Sequence, residues 1–162
     1  MKRYDITALA RQLGHSCVRR SVMLATAESC TGGAVAEAIT RISGSSVWFD
    51  RALVTYTDTA KKEMLGVSAR TLEAHGAVSE QVAREMAEGA LAFSHADASV
   101  AVTGIAGPTG GTNAKPVGLV YIAWAVRGEA VQVRRFRFEG GRDAVREQSV
   151  AFSLQGLIEI LA

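Results

Sequence analysis

Thr26-Ala27-Glu28-Ser29-Cys30-Thr31-Gly32-Gly33 is the stretch that decides the fold. The apolar, β-prone residues Val22, Met23, Leu24 and Ala25 run straight into it. Ala34, Val35, Ala38, Ile39 and Ile42 follow at helical spacing. The run therefore reads as a tight turn between a strand, Ser21 to Ala27, and a helix, Thr31 to Ile42. It places two potential nucleophiles, a carboxylate and two glycines at a helix start. There, unpaired N–H groups and the positive end of the dipole suit a phosphate or a developing oxyanion.

Working outward, Val47 to Tyr56 is rich in β-formers and reads as a strand. Thr57 or Asp58 caps a short helix that ends at Gly66, and Ser68 starts another that stops before Gly76. Ser79 caps a longer helix with Val82, Met86, Ala90 and Phe93 on one face. Ala98 to Thr103 is a buried strand running into the glycine-rich segment Gly104 to Gly118. Leu119–Val126 and Ala130–Phe138 read as strands of a hairpin about Arg127-Gly128-Glu129, and Asp143–Leu161 as a closing helix. Asp5 to Arg19 carries Ile6, Leu9, Ala10 and Leu13 at helical spacing. Strands alternating with helices, then a hairpin and a helix, predict a three-layer α/β/α sandwich with a mixed β-sheet, one domain over residues 1–162. Ligands of such sheets sit beyond the carboxyl ends of the strands. The Glu28–Gly33, Tyr56–Lys61 and Gly104–Gly111 segments all fall at such ends.

The 162 residues carry a formal charge of +2, with 48% apolar and 21% charged residues. That charge is too small to point to nucleic acid, although Arg134, Arg135, Arg137, Arg142 and Arg146 cluster late in the chain. No stretch is long and apolar enough to span a bilayer, and Met1 to Arg20 mixes charges without a leader-type apolar core. Cys17 and Cys30 have no metal-ligand spacing and form no disulfide framework. A reduced, cytoplasmic protein without metal is expected; the apolar content leaves room for a homodimer.

A nucleophile on a strand-to-helix turn faces oriented donors, as in a nucleophile elbow; as mere structure, Ser29 or Thr31 would cap the helix. His15, His75 and His95 lie away from the three convergent segments and read as structural. Lys61, early in the helix after Tyr56, is the better base, because a helix start and burial both lower a lysine pKa. The plain alternative is an exposed lysine beside Lys62. Tyr56 is placed to hand on a proton or orient Ser29. The Thr103-Gly104-Ile105-Ala106-Gly107-Pro108-Thr109-Gly110-Gly111 loop lets backbone approach a ligand, yet matches neither the P-loop nor the dinucleotide fingerprint.

These residues resemble the CinA C-terminal domain family along nearly the whole chain. The resemblance rests on Thr26–Gly33, Gly44-Ser45-Ser46 with Trp48-Phe49, and Val54-Thr55-Tyr56-Thr57 with Lys61. It continues through Gly66-Val67, Thr71-Leu72, His75-Gly76-Ala77-Val78-Ser79, Met86-Ala87 and Gly89-Ala90. Thr103–Pro108, Gly110-Gly111, Lys115–Gly118, Gly141-Arg142-Asp143 and Val145-Arg146 complete it. Stand-alone members of that family are nicotinamide-nucleotide amidases. The resemblance implies hydrolysis of the nicotinamide mononucleotide carboxamide in pyridine-nucleotide recycling, with Ser29 as nucleophile, Tyr56 and Lys61 as activating partners, and no cofactor. The substrate contacts expected are Glu28, Cys30, Thr31, Gly32, Gly33, Thr103, Gly104, Gly107, Gly110 and Gly111, with Arg142 or Arg146 on the 5′-phosphate. Chemistry alone leans toward Cys30 as nucleophile, because a helix N-terminus lowers a thiol pKa. Two other classes compete: a non-catalytic nucleotide-binding module, and a competence-related interaction module.

Overall fold

The computed structural model describes residues 3–162; the leader reading of Met1 and Lys2 lies outside them. Among the described residues, five strands, β1 (Leu24–Glu28), β2 (Phe49–Val54), β3 (Ala98–Gly104), β4 (Leu119–Val126) and β5 (Gln132–Arg137), form one sheet in the order β2-β1-β3-β4-β5. The first three run parallel, whereas β4 pairs antiparallel to β3, and β5 pairs antiparallel to β4 at the sheet edge. The sheet is thus mixed, with its parallel half where helical crossovers separate the strands and its antiparallel half at the hairpin.

Among the described residues, six α-helices cover it: α1 (Ile6–Arg20), α2 (Ala34–Thr40), α3 (Asp58–Leu65), α4 (Ala69–His75), α5 (Glu80–Ala92) and α6 (Arg142–Ile160). One face buries Leu13, Ile39, Val100, Ile122 and Leu154 beneath α1, α2 and α6. The other buries Ala27, Leu65, Met86, Ala101 and Ala123 beneath α3, α4 and α5. The expected α/β/α sandwich is the architecture found. Small residues dominate the second face of β1, β3 and β4, which lets α5 lie close to the sheet.

The local signals behave as their chemistry requires. Thr57 accepts from the Ala60 N–H and Ser79 from the Val82 N–H, while Gly66 closes α3 in the left-handed region. Several boundaries differ from the sequence reading: β1 is Leu24–Glu28 and not Ser21–Ala27, and β5 is Gln132–Arg137 and not Ala130–Phe138. Two further differences have a local cause. The helix after Gly33 begins at Ala34 and not Thr31, because Gly32 and Gly33 at φ 57° and 101° carry the turn itself. The strand expected over Val47–Tyr56 shrinks to Phe49–Val54. Ser45–Val47 closes into a 3-10 turn with the Trp48 N–H on the Ser45 carbonyl, and the Trp48 indole packs over Gly14 of α1. Tertiary packing of one tryptophan there outweighs β-propensity.

Candidate active site

The carboxyl ends of β2, β1 and β3 bring three segments together. The Ser29 N–H donates to the Val102 carbonyl at 3.0 Å, and the Thr55 N–H to the Glu28 carbonyl at 2.8 Å. Those bonds stitch the turn after β1 between its two parallel neighbours. A cleft of about 300 Å³ opens there, with Ser29, Cys30, Tyr56, Lys61, Thr103 and Arg142 on its walls. Gly104, Gly107 and Gly110 supply the loop side. A larger cleft of about 580 Å³, between the start of α1, α2 and the first turns of α6, shares no residue with it. Ser29, Tyr56 and Lys61 all line the smaller one.

Lys61 joins two of the three segments through its hydrogen bonds. It is 1% exposed, and its Nζ lies 3.0 Å from Ser29 Oγ and 3.0 Å from the Thr55 carbonyl oxygen. Burial lowers its pKa from the ordinary lysine value of 10.5, with Asp58 and Cys30 opposing. Thr55 contributes its carbonyl, while its own buried hydroxyl has no hydrogen-bond partner among the described residues. None of the three histidines lines the cleft.

Glu28 was expected to touch substrate; it is fully buried and its carboxylate is consumed inside the protein. It accepts from the Thr26 and Thr31 hydroxyls at 3.1 and 2.7 Å. It also accepts from the N–H groups of Val35 and Ala36 at 2.9 and 3.0 Å. The free N–H groups at the start of α2 are therefore closed by the protein's own carboxylate rather than left for an anion. Thr31 is fully buried behind the turn with it.

Cys30 reverses its expected electrostatics. Burial pushes the thiol up to about 12, against lowering contributions from a backbone N–H, Arg146 and Lys61. A helix start lowers a thiol pKa only where its N–H groups and field reach the sulfur, and here Glu28 intercepts them. The thiol lacks the lowered pKa expected of it, while the Ser29 hydroxyl has a buried amine beside it.

The two arginines part company. Arg146 donates from Nε to the Cys30 carbonyl (3.2 Å) and from Nη2 to the Thr31 carbonyl (3.1 Å), bracing the turn. Arg142 reaches across the cleft mouth, from Nη1 to the Gly107 carbonyl at 2.8 Å and from Nη2 to the Tyr56 hydroxyl at 3.0 Å. Tyr56 is 60% exposed, and its hydroxyl bonds to Arg142 rather than to Ser29 or Lys61. Thr103 donates to the Ala77 carbonyl at 2.8 Å, so it fixes the wall opposite the turn.

Gly32 lies in an adjoining groove with Arg146, Gly33 caps α2, and Gly111 packs against Val117. The sequence reading missed Ala77 and Val78, which line the cleft with Thr57 and Asp58. Their side chains carry no chemical signal. The only hint is their place between a helix that stops at Gly76 and one capped by Ser79.

Residues 6–161 match the CinA C-terminal domain. The chain is 52% identical over 154 residues to the nicotinamide-nucleotide amidohydrolase PncC of Escherichia coli strain K12, covering 94% of this chain and 93% of that one. It is 48% identical over 155 residues to the nicotinamide-nucleotide amidohydrolase PncC of Pseudomonas putida, covering 96% of each. Among solved structures, the competence/damage inducible protein CihA of Agrobacterium tumefaciens superposes with a TM-score of 0.95 at 47% identity, covering 99% of this chain and 98% of that one. With the match spanning every strand and helix that builds the cleft, the chain belongs to the CinA C-terminal domain family.

Proposed function

We propose that this protein hydrolyses the carboxamide of nicotinamide mononucleotide to nicotinate mononucleotide and ammonia, with Ser29 as nucleophile and Lys61 as its base. The observation that carries the reading is the 3.0 Å contact between Ser29 Oγ and the buried Lys61 Nζ, in a chain 52% identical to a nicotinamide-nucleotide amidohydrolase.

A neutral amine fits this setting. One N–H of Lys61 goes to the Thr55 carbonyl, which turns the nitrogen lone pair toward the Ser29 hydroxyl. As Ser29 Oγ bonds to the amide carbon, its proton passes to Nζ. Lys61 then gives that proton to the departing nitrogen, the C–N bond breaks, and ammonia leaves an acyl-serine. Water delivers a proton to Lys61 and attacks the ester carbon; the C–Oγ bond breaks and Ser29 regains its proton. The reaction consumes only water.

The oxyanion contact falls to the Cys30 N–H. On either side of it, the Ser29 N–H is bonded to the Val102 carbonyl and the Gly32 N–H to the Ser29 carbonyl, both at 3.0 Å. The Gly32 bond also fixes the planar Ser29–Cys30 peptide, and with it the direction of the Cys30 N–H. Arg142, on the cleft wall beside the glycine loop, is the cation for the 5′-phosphate. Tyr56 assists proton transfer at Ser29.

Ammonia release from nicotinamide mononucleotide is the test. Wild type is expected to release it, and Ser29→Ala and Lys61→Ala to lose release by about a thousandfold or more. Full activity in Ser29→Ala would sink the mechanism.

A further inference from the structure

We infer that Arg142 makes catalysis conditional on the substrate's phosphate, by holding Tyr56 away from Ser29 until an anion takes its place. The inference rests on the amidohydrolase reading and adds to it a reason for choosing nucleotides over nucleosides.

Three observations carry it. First, the Arg142 guanidinium bridges the cleft mouth between Gly107 O and the Tyr56 hydroxyl. Both partners are uncharged, and both Arg142 and Tyr56 are exposed. Second, Tyr56 shares the cleft wall with Ser29 and Lys61, yet its hydroxyl is bonded to Arg142 and to neither of them. Third, Lys61 and Arg142 are the cations that line this cleft among the described residues, and Lys61 is buried against Ser29. Arg146 is engaged by the carbonyls of Cys30 and Thr31, and Lys115 by that of His75. An incoming phosphate therefore meets Arg142 first.

A phosphate dianion outcompetes a carbonyl and a phenol for a guanidinium, because its charge and its paired oxygens match the planar fork. An exposed hydrogen bond between neutral and charged partners is readily exchanged, since water replaces it at little cost. When Arg142 turns to phosphate, the Tyr56 hydroxyl is released on the side of the cleft that holds Ser29 and Lys61. The N–H groups of Ala106 and Gly107, residues of the same cleft wall, donate to no acceptor among the described residues and are left for the same anion. The phosphate then does more than add affinity: its binding assembles the proton-transfer group, so its energy appears in the chemical step.

The test separates the phosphate from the reacting ring. Nicotinamide riboside, which lacks phosphate, is hydrolysed with and without free phosphite dianion, by wild type, Arg142→Ala and Tyr56→Phe. Phosphite is expected to raise the wild-type kcat/KM on the riboside by about tenfold or more. In Arg142→Ala the phosphite effect vanishes, and the rates on nucleotide and riboside converge. In Tyr56→Phe the effect also vanishes, while phosphite still competes with nicotinamide mononucleotide for binding. A wild-type riboside rate indifferent to phosphite, or equal activation in Arg142→Ala, overturns the inference. Failure of the underlying reading has a different signature, no ammonia from nicotinamide mononucleotide with wild type, and takes the inference down with it.

Discussion

Lys61 Nζ and Ser29 Oγ lie 3.0 Å apart although 32 positions separate them in the chain. The contact exists because β1 and β2 are parallel neighbours, so their carboxyl ends deliver the Ser29 turn and the α3 helix to the same edge. Burial lowers the pKa of the amine there, which favours its neutral form.

The pH dependence follows from that burial. Lys61 must lose its proton to act, so activity is expected to rise with pH, with its midpoint below the ordinary lysine value of 10.5. The stability consequence has a definite sign. Between the lowered folded pKa and the unfolded value near 10.5, the unfolded chain binds more protons, so unfolding free energy rises with pH across that window. Below the folded pKa the full cost of burying the amine is felt. Lys61→Met is expected to abolish the rising limb of the rate profile and to flatten this part of a denaturant-melt series. An unchanged pH–rate limb in that variant would remove Lys61 from the role of base.

Cys30 is expected to be chemically quiet. With a thiol near 12 and little exposure, it stays protonated and inaccessible at pH 8. Native protein treated with iodoacetamide is expected to keep its activity, and Cys30→Ala to keep kcat within about tenfold while losing about 1 to 2 kcal/mol of stability. Rapid inactivation by alkylation, mapped to Cys30, would contradict this.

Glu28 is expected to be a stability residue. Its removal strands two backbone N–H groups of α2 and two hydroxyls in a buried site. Glu28→Ala is expected to cost about 3 kcal/mol or more. Glu28→Gln, which keeps the shape but turns a donor toward donors, should cost less. Thermal melts of the two variants check both the size and the order.

Gly89 governs where Lys61 sits. A Cβ there would lie 2.1 Å from the Leu65 carbonyl oxygen, at the crossing of α5 with the end of α3. Backbone cannot yield as a flexible side chain does, so Gly89→Ala is expected to push α3 outward at a cost of about 3 kcal/mol. Because α3 carries Lys61, amidase activity should fall with it. A variant with wild-type melting temperature and activity would show that α3 tolerates the shift.

The sequence by itself determined the strand–turn–helix at Thr26–Gly33, the caps at Thr57 and Ser79, and the α/β/α plan. Each depends on neighbours within a turn or two, and alternating strand and helix periods leave few ways to layer a chain. It also made Ser29, Tyr56 and Lys61 the candidates, because strand ends of a parallel sheet must converge. Only the tertiary structure decided what those side chains meet. Desolvation acts through every atom packed around a group, so the depression of Lys61 and the elevation of Cys30 cannot be read from adjacent letters. The same holds for partners. Arg142 crosses the cleft mouth and Arg146 braces the turn, although both begin one helix. Arg142 bonds to a residue 86 positions away, and Arg146 to one 116 positions away. Which acceptor lies at the end of each side chain is a property of the fold, because only the folded chain fixes the distance between them.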